Sequence, residues 1–262
     1  MSGRNVLITG GSNGIGREAV RAFAGAGETV WFTYFTGEAR AAKLVGELTA
    51  DGAEVAAFEF HQGEWDSHQH LLAALPGAVD VLVNNAAVGT KSIEKYQRGS
   101  APELSAAMLR INTLGPLWLT QQLVPGMLAR GYGKVVNVAS VGGGVATFPD
   151  FDPADGMSKA ALVQMSRQLA VQLAHAPVEV FAVCPGAVET DMLGASVLDR
   201  LDLDTRRSFE TGLPKGRLIQ PAEVARLIHW LCTDEATVLH GAVLDASMGL
   251  GLAPAMFAPA AR

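Results

Sequence analysis

Short apolar runs alternate with segments of helical periodicity along almost the whole chain. Val6-Leu7-Ile8-Thr9 carries no charge, as expected of a strand buried on both faces. It runs into Gly10-Gly11-Ser12-Asn13-Gly14-Ile15-Gly16, after which a helical pattern covers residues 17–26. The alternation then predicts strands over 29–34, 54–60, 79–83, 134–139, 178–183 and 242–244. It predicts helices over 38–50, 66–75, 104–129, 159–173 and 221–231. Pro116 and Pro125 predict a kink or an early stop in the longest helix, and Pro221 fits the first turn of the last. Strands alternating with helices predict a doubly wound parallel sheet, a Rossmann-like α/β fold. No internal repeat and no long linker divides the 262 residues, so one domain is expected.

Composition narrows the function classes. Apolar residues make up 49% of the chain and charged residues 18%, enough for a sizeable core. The formal net charge is −6 with no run of Lys or Arg, which argues against a nucleic-acid or anionic-membrane surface. Two cysteines, Cys184 and Cys232, cannot build a disulfide framework. No long uncharged apolar run and no signal-peptide pattern is present. A cytoplasmic protein acting on a small molecule is expected, without a metal site.

The chemistry concentrates at two places. The strand, Gly-rich turn and helix over residues 6–26 form the arrangement that aims free backbone N–H groups at a phosphate. The bland alternative is an ordinary glycine-rich turn, which the position at the first strand-to-helix junction disfavours. The second place is Asp155-Gly156-Met157-Ser158-Lys159, a carboxylate and an amine one helical turn apart, downstream of Ser140.

Together, Thr9-Gly10-xxx-Gly14-Ile15-Gly16, Asn84-Asn85-Ala86-Ala87, Asn112, Asn137-Val138-Ala139-Ser140, Lys159 and Pro185-Gly186-xxx-Thr190 stand in family order. From Val6 to about Gly249 the sequence resembles the short-chain dehydrogenase/reductase family. The resemblance implies that Gly10, Gly14 and Gly16, with Ser12, Asn13 and Ile15 between them, hold a cofactor pyrophosphate. Asn84 and Ala86 would lie beside the adenosine ribose, with Tyr34, His61 and Gln62 on the adenosine side. Pro185, Gly186, Val188 and Thr190 would shape the nicotinamide end. Asn112, Ser140 and Lys159 match three members of the catalytic tetrad. Tyr96 and Met192 are candidate substrate contacts, residues 194–218 a candidate lid, and residues 251–262 a frayed tail or an arm across a subunit interface. A homodimer or homotetramer, packed through the helices bearing Asn112 and Lys159, is implied as well.

Cofactor choice has a physical argument. NAD sites usually place an Asp or Glu about 20 residues past the Gly-rich turn, on the ribose 2′-hydroxyl. Here Thr33-Tyr34-Phe35-Thr36 offers no acid, which favours NADP(H) over NAD(H). Arg17 and Arg40 are the nearest cations.

One family residue is missing. The family has a Tyr four residues before its Lys as the proton-transfer group, and this chain has Asp155 there. Tyr34, Tyr96 and Tyr132 are the only tyrosines, and none falls between Ser140 and Lys159, which stand 19 residues apart. A Tyr titrates near ~10 and an Asp near ~3.9, and a neighbouring Lys is expected to lower both. Asp155 therefore suits a general base or a substrate anchor better than an acid, or else is a helix-cap acid paired with Lys159 at i,i+4. Three readings stay open: an NADP(H)-dependent oxidoreductase of an alcohol, ketone or amine with an altered proton-transfer residue, a non-redox isomerase, lyase or cyclase using Asp155 and Lys159, and a cofactor-binding protein without catalysis.

Overall fold

The computed structural model describes residues 3–148 and 151–252. Strand β1 (Asn5–Ile8) feeds helix α1 (Gly14–Gly25), followed by β2 (Thr29–Tyr34), α2 (Glu38–Ala50), β3 (Val55–Glu59), α3 (Trp65–Ala74) and β4 (Val81–Asn84). The second half holds α4 (Ala101–Leu109), α5 (Gly115–Arg130), β5 (Gly133–Val138), the short turn α6 (Val141–Gly144) and α7 (Pro153–Gln172). It ends with β6 (Val178–Pro185), α8 (Asp191–Ser196), α9 (Leu203–Gly212), α10 (Pro221–Leu231) and β7 (Val243–Ala246). All strand pairs are parallel, in the order β3-β2-β1-β4-β5-β6-β7. The sheet is that of the single α/β domain the alternation predicts.

The side-chain alternation of the strands sorts the core into two layers. Val6 and Ile8, Val81 and Val83, Val136, Phe181 and Val183 pack on one face with α1, α2 and α10. Leu7, Leu82, Val135 and Val180 pack on the other with Leu119 and Met127 of α5. The helices supply matching stripes, such as Ala41, Leu44 and Leu48 on α2 or Val224, Ala225, Ile228 and Leu231 on α10. Chain order reverses between β1 and β4, which opens a crevice at their C-terminal ends.

Two elements depart from the sequence expectation. The helix expected over 104–129 is broken: a π-helical turn at Arg110–Leu114 separates α4 from α5. Pro116 lies in the first turn of α5 and cannot donate to the Asn112 carbonyl four residues back, so the α-ladder must widen there. Pro125, by contrast, is carried inside α5, which runs on to Arg130. Helix α7 begins at Pro153 rather than Lys159, because Asp152 caps it through the Ala154 and Asp155 N–H groups and Pro153 fits N1. The tail beyond residue 252 lies outside the described residues.

A buried polar chain ties these layers together. Asn84 Nδ2 donates to Asn137 Oδ1 at 2.8 Å and to Thr120 Oγ1 at 3.1 Å, and Asn137 Nδ2 donates to Ser166 Oγ at 2.9 Å. Strands β4 and β5 and helices α5 and α7 are thus joined through groups with no access to water. Truncation would remove two buried bonds, leaving Asn84 with Thr120 and Ser166 with the Leu162 carbonyl, so Asn137→Ala is expected to destabilise the fold by about 2–4 kcal/mol in urea unfolding. A loss under about 1 kcal/mol would mean that the chain of amides contributes no more than an average surface bond.

Candidate active site

The Gly-rich turn is locked against the end of β4. Thr9 Oγ1 accepts the N–H groups of Asn85 and Ala86, both at 3.0 Å, and Asn85 Nδ2 donates to the carbonyls of Thr9 at 2.9 Å and Gly10 at 3.2 Å. Gly10 has φ +69°, and a Cβ there would stand 2.9 Å from Ala86 Cα. Only glycine permits both the turn and this approach. Gly16 serves packing, since a Cβ would meet the Gly10 carbonyl oxygen at 2.2 Å. Asn13 caps α1, its Oδ1 accepting from Gly14 N–H at 2.7 Å.

Beside this turn lies a cavity of about 870 Å³ that extends to Lys159. Gly10, Ser12, Asn13, Gly14, Ile15, Tyr34, His61, Gln62, Ala86, Ser140, Asp155, Lys159, Pro185, Gly186, Val188, Thr190 and Met192 all line it. Gly16, Asn84 and Asn112 do not. Asn84, expected beside a ribose, instead spends its side-chain amide inside the sheet on Asn137 and Thr120. The neighbouring Asn85 faces the cavity and braces the turn; the Asn84-Asn85 pair was the signal, but its alternating faces are visible only in the fold. Gln62 reaches the cavity, yet its amide nitrogen Nε2 donates to the carbonyls of Ala86 at 2.9 Å and Ile111 at 2.8 Å.

Tyr96, a candidate substrate contact, also lines the cavity; its ring stacks on Phe35 with centroids 5.2 Å apart and meets His61 edge-on at 6.3 Å. Those partners follow β2 and β3, at the opposite end of the crevice from Ser140. Arg17 pairs with Glu18 at 3.1 Å outside the cavity, whereas Arg40 lines its rim. The candidate lid is less irregular than expected: α8 and α9 fold around a small apolar cluster of Leu198, Leu213 and Leu218.

The other end of the cavity carries Ser140, Asp155 and Lys159. Ser140 follows β5, and its Oγ accepts from Gly142 N–H at 3.2 Å. Asn112 is buried in the π-helical turn, where Oδ1 accepts from Val88 N–H and Nδ2 donates to the Val88 carbonyl, both at 2.8 Å, and to Ser158 Oγ at 3.1 Å. Thr113 Oγ1 also donates to the Ser158 carbonyl at 3.1 Å, so the first turns of α7 are clamped to this segment.

Lys159 is 8% exposed, and burial holds its amine below the ordinary lysine range despite the opposing attraction of Asp155. Asp155 is half-buried, and burial outweighs the attraction of Lys159 to hold its carboxyl above the ordinary range, with Asp152 adding in the same direction. The sequence expectation that Lys159 would dominate is thereby corrected: desolvation is the larger effect. The expected i,i+4 ion pair is also absent among the described residues, and Asp152 rather than Asp155 is the cap. A Cβ at Gly89 would stand 3.6 Å from Asp155 Oδ2 and 3.7 Å from Met192 Sδ, so all three meet at one lip of the cavity. Cys184 is buried nearby, its thiol pushed up to about 11 by burial and hence unreactive.

The comparisons with known proteins agree with this architecture. The model of the enoyl-(acyl carrier protein) reductase family matches residues 10–251. The chain is 30% identical over 255 residues to a 3-oxoacyl-[acyl-carrier-protein] reductase FabG of Aquifex aeolicus, covering 95% of this chain and 98% of that one. It is 31% identical over 251 residues to an acetoacetyl-CoA reductase of Allochromatium vinosum, covering 94% and 98%. Among solved structures, actinorhodin polyketide ketoreductase with NADPH superposes with a TM-score of 0.85 at 30% identity, covering 96% and 99%. The chain belongs to the short-chain dehydrogenase/reductase family. It is an oxidoreductase of that class. Among the described residues no helix is long and apolar enough to cross a membrane.

Because the fold holds Asp155 above its ordinary value of 3.8, the native state keeps a proton that the unfolded chain has released between those two values. Stability should then fall as pH rises through that window. Asp155→Asn is expected to raise the urea midpoint at pH 7, with the gain shrinking as pH approaches 3.8. A lower midpoint at pH 7 would mean instead that the carboxylate makes a stabilising contact.

Proposed function

We propose that the chain transfers hydride between NADP(H) and a carbonyl–alcohol pair of a small molecule, with Asp155 as the proton-transfer residue in the place of the family's Tyr. The single observation carrying this reading is the Asp155 carboxyl itself: it faces the cavity one turn before Lys159 and is held above the ordinary Asp range. No tyrosine replaces it. Tyr34 and Tyr96 belong to the β2–β3 end, and Tyr132, just before β5, accepts from Arg4 Nη1 at 2.8 Å at the N-terminal ends of the strands, opposite the crevice.

The residues present fit an NADP(H) molecule. Gly10 and Gly14, both at positive φ, leave no side chain between the turn and the cavity, so a pyrophosphate could approach the backbone. Residues 34–36 carry no acid to repel a 2′-phosphate, and the Arg40 guanidinium stands at the rim. Two structural relatives were solved with the phosphorylated cofactor: the ketoreductase above and RhlG of Pseudomonas aeruginosa, at 27% identity and TM-score 0.82 over 96% of this chain and 97% of that one. On this reading Gly10, Ser12, Asn13, Gly14 and Ile15 hold the pyrophosphate, and Tyr34, His61, Gln62 and Ala86 face the adenosine half. Pro185, Gly186, Val188, Thr190 and Lys159 face the nicotinamide half. The cofactor, when bound, supplies or accepts the hydride.

The chain's own residues then handle the oxygen. Ser140 donates its hydroxyl to the reacting oxygen and fixes its position. Asp155 gives that oxygen a proton in reduction and takes it back in oxidation. Lys159, poorly solvated, supplies positive charge where negative charge develops. A ketone is the substrate class the named relatives favour. As the resemblance implies, we also read the enzyme as a homodimer or homotetramer packed through α4, α5 and α7, whose segments expose Leu114, Met157 and Val171.

Two measurements test this. NADPH should enhance its fluorescence on binding, more tightly than NADH, and binding of neither would sink the assignment. With a ketone substrate found by screening, Asp155→Asn is expected to lower kcat by about 10²–10⁴-fold without loss of cofactor affinity. In the wild type, reduction should speed up as pH falls through the Asp155 titration and oxidation should speed up as it rises. In Asp155→Tyr both limbs should move to higher pH. Unchanged turnover in Asp155→Asn would reduce Asp155 to a first-turn acid of α7.

A further inference from the structure

At the rim of the cavity one carboxylate bridges two donors from different parts of the fold. Asp191 Oδ2, in the first turn of α8, accepts from Asn13 Nδ2 at 2.7 Å and lies 3.6 Å from Arg40 Nη1. Asn13 belongs to the Gly-rich turn and Arg40 to the first turn of α2, and all three residues line the cavity. Asn13 has its Oδ1 committed to the Gly14 N–H, which leaves its amide nitrogen as the donor facing across the cleft. Arg40 Nη2 lies 3.4 Å from the position a Cβ would take on Gly37, so the guanidinium sits beside the stretch that follows β2. Asp191 thus links α8 to both the Gly-rich turn and α2 through one carboxylate oxygen.

From this bridge we infer that Asp191 is an internal anion that competes with the cofactor's 2′-phosphate for Arg40, and so sets both the strength of NADPH binding and the preference over NADH. The inference rests on the NADP(H) reading above. A phosphomonoester carries about −1.5 to −2 charges at pH 7 and three acceptor oxygens, against one charge on a carboxylate. It is the better partner for a guanidinium, and a carboxylate left 3.6 Å away would repel it. Binding the 2′-phosphate therefore requires Asp191 to swing away, which releases α8 from α2. A cofactor bearing a 2′-hydroxyl has no charge to set against the bridge and leaves it in place. Both side chains are well exposed, Arg40 at 55% and Asp191 at 72%, so the competition is modest in size and easily reversed.

The test is the Kd of NADPH and of NADH, read by nicotinamide fluorescence, for the wild type, Asp191→Ala and Asp191→Asn. Both variants are expected to bind NADPH roughly three- to fivefold more tightly, with NADH affinity within about twofold of the wild type. Asp191→Asn removes the charge but keeps the shape and an acceptor for Asn13, so its agreement with Asp191→Ala identifies charge as the cause. Arg40→Ala should erase the gain when combined with either variant. Equal changes for the two cofactors, no change, or weaker NADPH binding in the variants would overturn the inference while leaving the NADP(H) reading intact. A wild type that binds neither cofactor would overturn both.

Discussion

Desolvation of the first turns of α7 is the constraint on which this site depends. An acid and an amine one turn apart would ordinarily pair in water and titrate at their usual values. Here Lys159 is buried and Asp155 half-buried, and burial moves both toward their neutral forms. That effect requires α7 to be held firmly against the sheet. Ser166 takes Asn137 from β5, Ser158 takes Asn112 from the π-helical turn, and Asp152 caps the helix start. These bonds hold α7, and with it Asp155 and Lys159, against the rest of the fold.

The same economy governs the other half of the cavity. Thr9, Asn85 and Gly10 bring the β1 turn against the chain leaving β4, and the Gly-rich turn leaves an open surface where a phosphate can approach. Gly10 and Gly14 put no side chain there, and the Arg40–Asp191 pair stands at the rim of the same cavity. The two halves share the crevice where chain order reverses, so the sheet topology places the Gly-rich turn and the α7 carboxyl along one cavity.

How far the chain could be read without coordinates depended on whether each feature is local. The strands, the Gly-rich turn and helices such as α2 and α10 follow from periodicity and turn residues, and the structure reproduces them within a few residues. The start of α7 was missed because its signal, Asp152 capping and Pro153 at N1, lies in a stretch without apolar period. The π-helical turn was half-legible: Pro116 announced an interruption but not its form. Asn84 turns away from the cavity because the direction a side chain takes at a strand end is a tertiary fact, whereas Tyr96 does line the cavity, stacked on a Phe35 that no local pattern announces. The protonation tendency of Asp155 was misjudged for the same reason. A Lys four residues away is visible in sequence, whereas burial is not, and burial proved the larger effect.

The most direct test of this account is a pH titration of the Asp155 carboxyl carbon by NMR, assigned by its loss in Asp155→Asn. The account predicts an inflection clearly above the ordinary value of about 3.9, in a fold that remains intact across the titration. An inflection at or below that value would contradict it, because a carboxyl held ionised by Lys159 could not donate the proton that ketone reduction requires.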